Sequence, residues 1–295
     1  MDEYYRVVRA LGPPFGELLG TLPPARAAEI QEIRLRAGQP LQFTVAGRLV
    51  PCAQLLPVLR ASGPLRQEDI RQTFLALCGH SVYAYEQELQ DGYFTLPGGH
   101  RVGVAGLRGP GGFAVVTALC LRVARFITCP LPQALRQALD RLDGGILVIG
   151  PPGSGKTTLL RSILYYLAAQ ARIVCVADER GELLGEEGAP PDKPCVNCDV
   201  FTRCPRAAAV LMALRCLNPQ VILCDEIGTR ADADALEQGV ASGVVFVASV
   251  HGEATAQLTQ KPHLRRLLAT GAFTQAALLA GRAHPGQVRA IEALP

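Results

Sequence analysis

The sequence contains no tryptophan, only two methionines and few aromatic residues, 5% in all. A surface built to stack nucleic-acid bases needs aromatic platforms, and this chain is poorly supplied with them. It also lacks a strong charge of either sign. The net charge is +3, with thirteen Lys and Arg against ten Asp and Glu in residues 1–125, and sixteen against sixteen in residues 126–295. A protein whose main ligand is a phosphate backbone carries a basic footprint that neither half shows, so no nucleic-acid partner is expected. Long hydrophobic runs are missing too: the longest apolar region, Leu159 to Ala177, is broken by Arg161, Gln170 and Arg172 and reads as a helix followed by a strand. The opening Met-Asp-Glu-Tyr-Tyr has neither the basic nor the apolar segment of a secretory signal, which places the expected site of action in the cytoplasm. No internal repeat or low-complexity segment is found.

What remains is ample core-forming material. The 295 residues are 49% hydrophobic and 19% charged, enough for one large or two ordinary cores. Ten cysteines would suggest a disulfide scaffold in a short secreted chain, but here Cys175, Cys216 and Cys224 sit inside apolar runs as small core residues. They are expected to be reduced.

Residues 144–158 carry the strongest signal. Ile146 to Ile149 form a continuous apolar run of the kind shown by a strand buried on both faces of a parallel α/β sheet. Gly150, Pro151, Pro152, Gly153, Ser154, Gly155, Lys156, Thr157 and Thr158 follow, with the spacing of a P-loop, Gly-x-x-x-x-Gly-Lys-Thr. Glycines let consecutive backbone N–H groups turn inward around phosphate oxygens, and a helix from about Lys156 to Ala168 would point its positive end at the same anion. Lys156 is placed to reach the β- and γ-phosphates of ATP and Thr157 to bind Mg²⁺.

Three further strand ends complete the chemistry. Arg172 to Ala177 reads as a strand ending in Asp178-Glu179-Arg180-Gly181-Glu182, where either Glu179 or Glu182 could hold a water or a Mg²⁺-bound water. Val221 to Cys224 ends in Asp225 and Glu226, a Walker B pattern in which Asp225 serves Mg²⁺ and Glu226 polarises the attacking water. Val244 to Ser249 leads to His251, at the position of a γ-phosphate sensor. In open α/β sheets ligands bind at the carboxyl ends of strands, so all four ends should converge. Residues Gly185 to Pro205 read as a long loop; Cys195, Cys198 and Cys204 within it lack the fourth ligand of a zinc site.

The N-terminal part has a different pattern. Helical pieces up to about residue 30 precede alternating strands that put Arg34 and Arg36 on one sheet face. A helix over Leu65 to Cys78, a short helix with Tyr83 and Tyr85, and hairpins around Gly98-Gly99 complete an α+β domain. A strand over Leu119 to Val123 follows, then a break at Cys129-Pro130-Leu131-Pro132, so domains of residues 1–128 and 129–295 are predicted.

Glu32 to Arg36, Asp91 to Gly106, Leu121 to Arg125, the P-loop, Asp178-Glu-Arg, Cys204-Pro205, Asp225 to Gly228 and His251-Gly252 together resemble the stage III sporulation protein AA family, which is similar to the hexameric ATPases of type II and type IV secretion. The resemblance implies an α/β fold with a RecA-like P-loop NTPase core behind a smaller α+β N-terminal domain. It implies an ATPase that forms a homo-oligomer, a hexamer in its relatives, at the membrane of the mother cell of an endospore former. There it would energise membrane-embedded channel proteins. His251 matches the histidine box of the secretion ATPases, Glu179 or Glu182 their extra acidic box, and Arg215 an arginine before Walker B. The spacing of Asp178-Glu-Arg-Gly-Glu and the pair Ser249-Val250 depart from their pattern. Arg101, Arg122 and Arg125 are the candidates for phosphate contact from the N-terminal domain or a neighbouring subunit. A nucleic-acid-dependent RecA-like motor and a nucleotide-gated scaffold with little turnover remain as other readings.

Overall fold

The structure, a computed structural model, describes residues 3–56, 63–109, 112–185 and 196–294. The chain divides into two compact units, Met1–Arg125 and Phe126–Pro295.

In the first unit, strands β1 (Ile30–Arg36), β2 (Gln42–Val45), β3 (Arg48–Pro51), β4 (Tyr93–Leu96), β5 (His100–Gly109) and β6 (Gly112–Arg122) form one sheet in the order β3-β2-β1-β6-β5-β4. Every pairing is antiparallel. Ile33, Leu35, Phe43, Phe94, Val102, Leu119 and Leu121 point to a core that also takes Tyr4, Val7 and Val8 from helix Glu3–Ala10 and Ile70, Phe74 and Leu77 from helix Gln67–Leu77. The intervening residues make the other face, and the register sets Glu32, Arg122 and Arg101 side by side on three adjacent strands. The β4–β5 turn needs Gly98 and Gly99, with φ of +88° and +75°.

The second unit holds β7 (Gly145–Gly150), β8 (Val174–Asp178), β9 (Asp199–Thr202), β10 (Val221–Cys224), β11 (Val245–His251), β12 (Phe273–Leu279) and β13 (Val288–Ala293), ordered β13-β12-β7-β11-β10-β8-β9. All neighbours are parallel except β12 and β13. All six residues of β7 are buried. Its Leu147 and Ile149 face a core shared with helices Arg206–Cys216, Arg230–Ala241 and Pro262–Ala269. Its Ile146 and Val148 face a second core shared with helices Gln133–Arg141 and Lys156–Ala169. Burial on both sides is why the strand sequence shows no polar alternation.

The segment read as one loop from Gly185 to Pro205 contains β9. Edge strand β9 is four residues long and none of them is buried, so it leaves no apolar signature. β6 also runs further than the strand expected at Leu119 to Val123, because Ala114, Val115 and Thr117 are exposed and break the alternation. Of the three cysteines in that loop, Cys195 lies outside the described residues. Among the described residues no group of three or more His, Cys, Asp and Glu is arranged around a metal, and no helix is long and apolar enough to cross a membrane.

Candidate nucleotide site

The parallel register of β7, β8, β10 and β11 delivers their carboxyl ends to one edge of the sheet. The P-loop leaves β7 there, and its glycines are demanded by space and by conformation. A Cβ on Gly150 would run into Ser154 Oγ, and one on Gly155 into the backbone nitrogen of Gly286. Gly155, at φ +87°, caps helix Lys156–Ala169. The Ser154 hydroxyl is buried and has no partner among the described residues, as expected of a group that faces a ligand.

Lys156 is 8% exposed. Its ammonium donates to the carbonyls of Gly150 (3.1 Å) and Pro151 (3.3 Å) and to His251 Nδ1 (3.0 Å). Burial lowers its pKa from the ordinary value, opposed by the carboxylates of Asp225, Glu226 and Glu182. An ammonium has no lone pair, so Nδ1 of His251 is the acceptor and Nε2 carries the proton. That Nε2 lies 2.6 Å from Glu226 Oε1, and the imidazole therefore bridges the lysine to the glutamate.

The two Walker motifs meet directly. Thr157 Oγ1 donates to Asp225 Oδ2 at 2.8 Å, and Ser249 Oγ donates to Asp225 Oδ1 at 2.5 Å while accepting the Glu226 N–H at 2.8 Å. Glu226 has a left-handed backbone, φ +61°, a conformation that costs a non-glycine residue on the order of 1 kcal/mol and persists where surrounding bonds impose it. Here the Ser249 hydroxyl on one side and His251 on the other fix its direction. Ser249 was noted in the sequence only as a departure from the secretion-ATPase pattern; the structure gives it the task of orienting both acids. Register alone could have signalled it, since β11 lies beside β10 with Ala248 opposite Cys224.

The acidic loop after β8 is built around Asp178, whose carboxylate accepts the N–H groups of Glu182, Leu183 and Leu184 (2.8–3.0 Å). Burial pushes its pKa up to about 6 against the pull of those hydrogen bonds, and nearby Asp225 adds to the rise. From beneath, Arg161 of the P-loop helix, 3% exposed, holds the carbonyls of Leu183 (2.7 Å), Glu182 (2.5 Å) and Ile127 (2.7 Å). Glu179 pairs with Arg206 (3.2 Å), which also reaches Asp232 (3.1 Å). Arg180 lies 3.6 Å from Glu226 Oε2. Asp178, Glu182, Asp225 and Glu226 line one narrow cleft together with Arg180 and Arg206. Arg180, Arg206 and Asp232 were not anticipated as site residues, because their partners come from distant parts of the chain.

This donor set fits a nucleotide with Mg²⁺. Mg²⁺ keeps most of its waters and takes one or two protein ligands beside phosphate oxygens, which Thr157 and Asp225 can supply. Lys156, the backbone N–H groups at the start of helix Lys156–Ala169 and the Ser154 hydroxyl can receive the phosphates.

The three candidate arginines lie in the first unit. Arg101 stacks over Tyr93 at 4.6 Å and stands opposite Arg122 across β5 and β6. Arg125 donates to the carbonyls of Ala27 (2.7 Å) and Ile30 (3.1 Å) and lies 3.8 Å from Glu3. On the same sheet, Arg34 and Thr44 both bond Glu32 (2.7 Å each). Burial favours the neutral acid, but these two hydrogen bonds together with the charges of Arg34 and Arg122 outweigh it and hold the Glu32 pKa below its ordinary value.

The converging strand ends and the P-loop define an α/β fold with a RecA-like P-loop core behind an N-terminal domain, the fold of solved secretion ATPases. The fold matches the Legionella pneumophila ATPase DotB with a TM-score of 0.61 at 19% identity, over 85% of this chain and 72% of that one. It matches the pilus retraction motor PilT, solved with bound ADP, with a TM-score of 0.58 at 19% identity, over 94% and 77%. The chain belongs to the family described as sporulation stage III, protein AA, whose profile matches residues 17–293. It is 32% identical over 284 residues to the stage III sporulation protein AA of Bacillus subtilis (strain 168), covering 92% of this chain and 90% of that protein.

Proposed function

We propose that the chain is an ATP-hydrolysing motor that works as a homo-oligomer, a hexamer in the arrangement of secretion ATPases. It would act on the cytoplasmic side of the mother-cell membrane, where it energises membrane-embedded channel proteins of sporulation. The observation that carries the reading is the 2.8 Å bond between Thr157 and Asp225, which joins the phosphate loop to the Walker B acid with Glu226 one residue on. When bound, the Mg²⁺ ion supplies charge neutralisation on the phosphate oxygens. The protein's own groups then do the rest: Lys156 binds the β- and γ-phosphates, Glu226 takes the proton of an in-line water, and His251 passes the state of the lysine to the glutamate. Glu179 or Glu182 orders water at the acidic loop. Arg101 and Arg122, two guanidinium groups on neighbouring strands, form a pair whose repulsion a phosphate would relieve. With Arg125 they are the candidates for stabilising transition-state charge from an adjacent subunit.

The test is phosphate release by purified protein as a function of protein concentration, with light scattering to follow oligomer size. Turnover per chain should rise with assembly. Glu226→Gln should lower kcat by about 10²–10⁴, the usual contribution of a general base, while nucleotide affinity is retained. Turnover that is independent of Glu226 would remove the motor reading and leave a nucleotide-gated scaffold.

A further inference from the structure

The turn between β12 and β13 grips the phosphate loop from outside the Walker motifs. Gly286 N–H donates to the Ser154 carbonyl at 2.8 Å, and the turn is closed by Ala280 N–H on the Gln287 carbonyl at 2.9 Å. Arg282, at the rim, donates from Nε to the Pro152 carbonyl at 2.6 Å. Its side chain lies flat along the loop: a Cβ on Gly153 would come within 3.3 Å of Nε and 3.4 Å of Cγ. The Nη nitrogens, which carry two-thirds of the guanidinium's nitrogen atoms and four of its five N–H donors, have no partner among the described residues, and Arg282 is exposed.

The loop it grips is short of donors. Prolines at 151 and 152 have no backbone N–H, so two of the four positions between Gly150 and Gly155 cannot contribute to an anion nest. The arginine sits on that same proline side.

We propose that Arg282 is a nucleotide-binding residue, fixed on the Pro152 carbonyl through Nε and presenting its Nη donors to the diphosphate that ADP and ATP share. The proposal rests on the ATPase reading of this site and adds to it a contact from the far C-terminal turn, in the same chain as the P-loop. Charge-assisted donors to phosphate are among the stronger hydrogen bonds, and an arginine bound by one edge keeps its fork in place for the ligand.

The experiment is competition of ADP and of a non-hydrolysable ATP analogue against a fluorescent ADP, with Mg²⁺, on the full chain and on Arg282→Ala, Arg282→Gln and Arg282→Lys. Alanine and glutamine should weaken both nucleotides alike by about tenfold or more. Lysine restores the charge but neither the Nε hook nor the planar fork, and should regain part of the affinity. Alanine and glutamine variants that bind like the native chain overturn the proposal. So does a lysine variant as weak as glutamine, which would make Arg282 a neutral strut for the loop. Should the alanine variant fail to fold, the lysine–glutamine difference carries the same decision. A native chain that binds neither nucleotide overturns the ATPase reading and this contact together, whereas variants equal to a binding native chain overturn this contact alone.

Discussion

The two sheets use the same residue type in opposite ways. In the seven-stranded sheet both faces are covered, and the chemistry sits at the strand ends; its buried Arg161 is consumed by backbone carbonyls and its Arg206 by Glu179 and Asp232. In the six-stranded sheet the face turned from the core carries Arg34, Arg101 and Arg122, half-buried or exposed, and among the described residues Glu32 is the acid in their register. A sheet buried on both sides can offer a ligand only its edge, while a half-covered antiparallel sheet can offer a surface. The first arrangement suits a compact ligand such as a nucleotide, and the second suits contact with a phosphate or a protein brought to it.

If the arginine face serves catalysis, the largest effect should come from Arg122→Ala. Arginines supplied to a phosphoryl-transfer site contribute about 10³–10⁵ in rate, and turnover measured by phosphate release should fall by that order while nucleotide affinity stays close to native. Unchanged turnover would assign the arginine face to protein contact. Arg125 sharpens the contrast, because its bonds to Ala27 and Ile30 make its removal a matter of domain stability as well.

At the strand-end site, Ser249→Ala removes the hydroxyl that Asp225 accepts from and that the Glu226 N–H donates to. With a left-handed glutamate losing one of its two restraints, kcat should fall about tenfold to a hundredfold, and stability by about 1–3 kcal/mol for the buried groups left without a partner. Steady-state kinetics and urea melts read the two effects separately. A loss of stability with kcat intact would show that His251 alone aims the glutamate.

The smallest effect concerns Asp178. Its folded pKa of about 6 lies above the unfolded value near 3.9. Between those values the native chain keeps a proton that the unfolded chain releases, so this group's contribution to stability is present at low pH and lost as pH rises from about 4 to 6. Asp178→Asn should flatten that part of the stability–pH curve by on the order of 3 kcal/mol, measured by denaturant melts across the window. A curve that keeps its slope would assign the pH dependence elsewhere.

Local pattern made much of this legible. The β7 run, the P-loop glycines and the acids after β10 are contiguous in sequence, and their spacing alone places them at one sheet edge. His251 was reachable because β11 follows β10 in an alternating α/β chain. Ser249, Arg206 with Asp232, and Arg282 were not, because each acts on a partner 23 to 130 residues away, and nothing in the local composition marks a serine or a surface arginine for such a task. The same limit hid β9, whose four residues gain their order from pairing with β8 and not from any apolar alternation of their own. On the arginine face of the first unit, alternation foretold that Arg34 and Arg36 share a side, but only the β1–β6–β5 register brings Arg101 and Arg122 next to each other.

The bond between Thr157 and Asp225 has a consequence for how the two motifs respond to change. It ties the first turn of the P-loop helix to the end of β10 across 68 residues of sequence, so a substitution at either end would loosen the anchor of both. The same two side chains would hold a Mg²⁺ ion beside phosphate oxygens, where the ion would supply charge neutralisation.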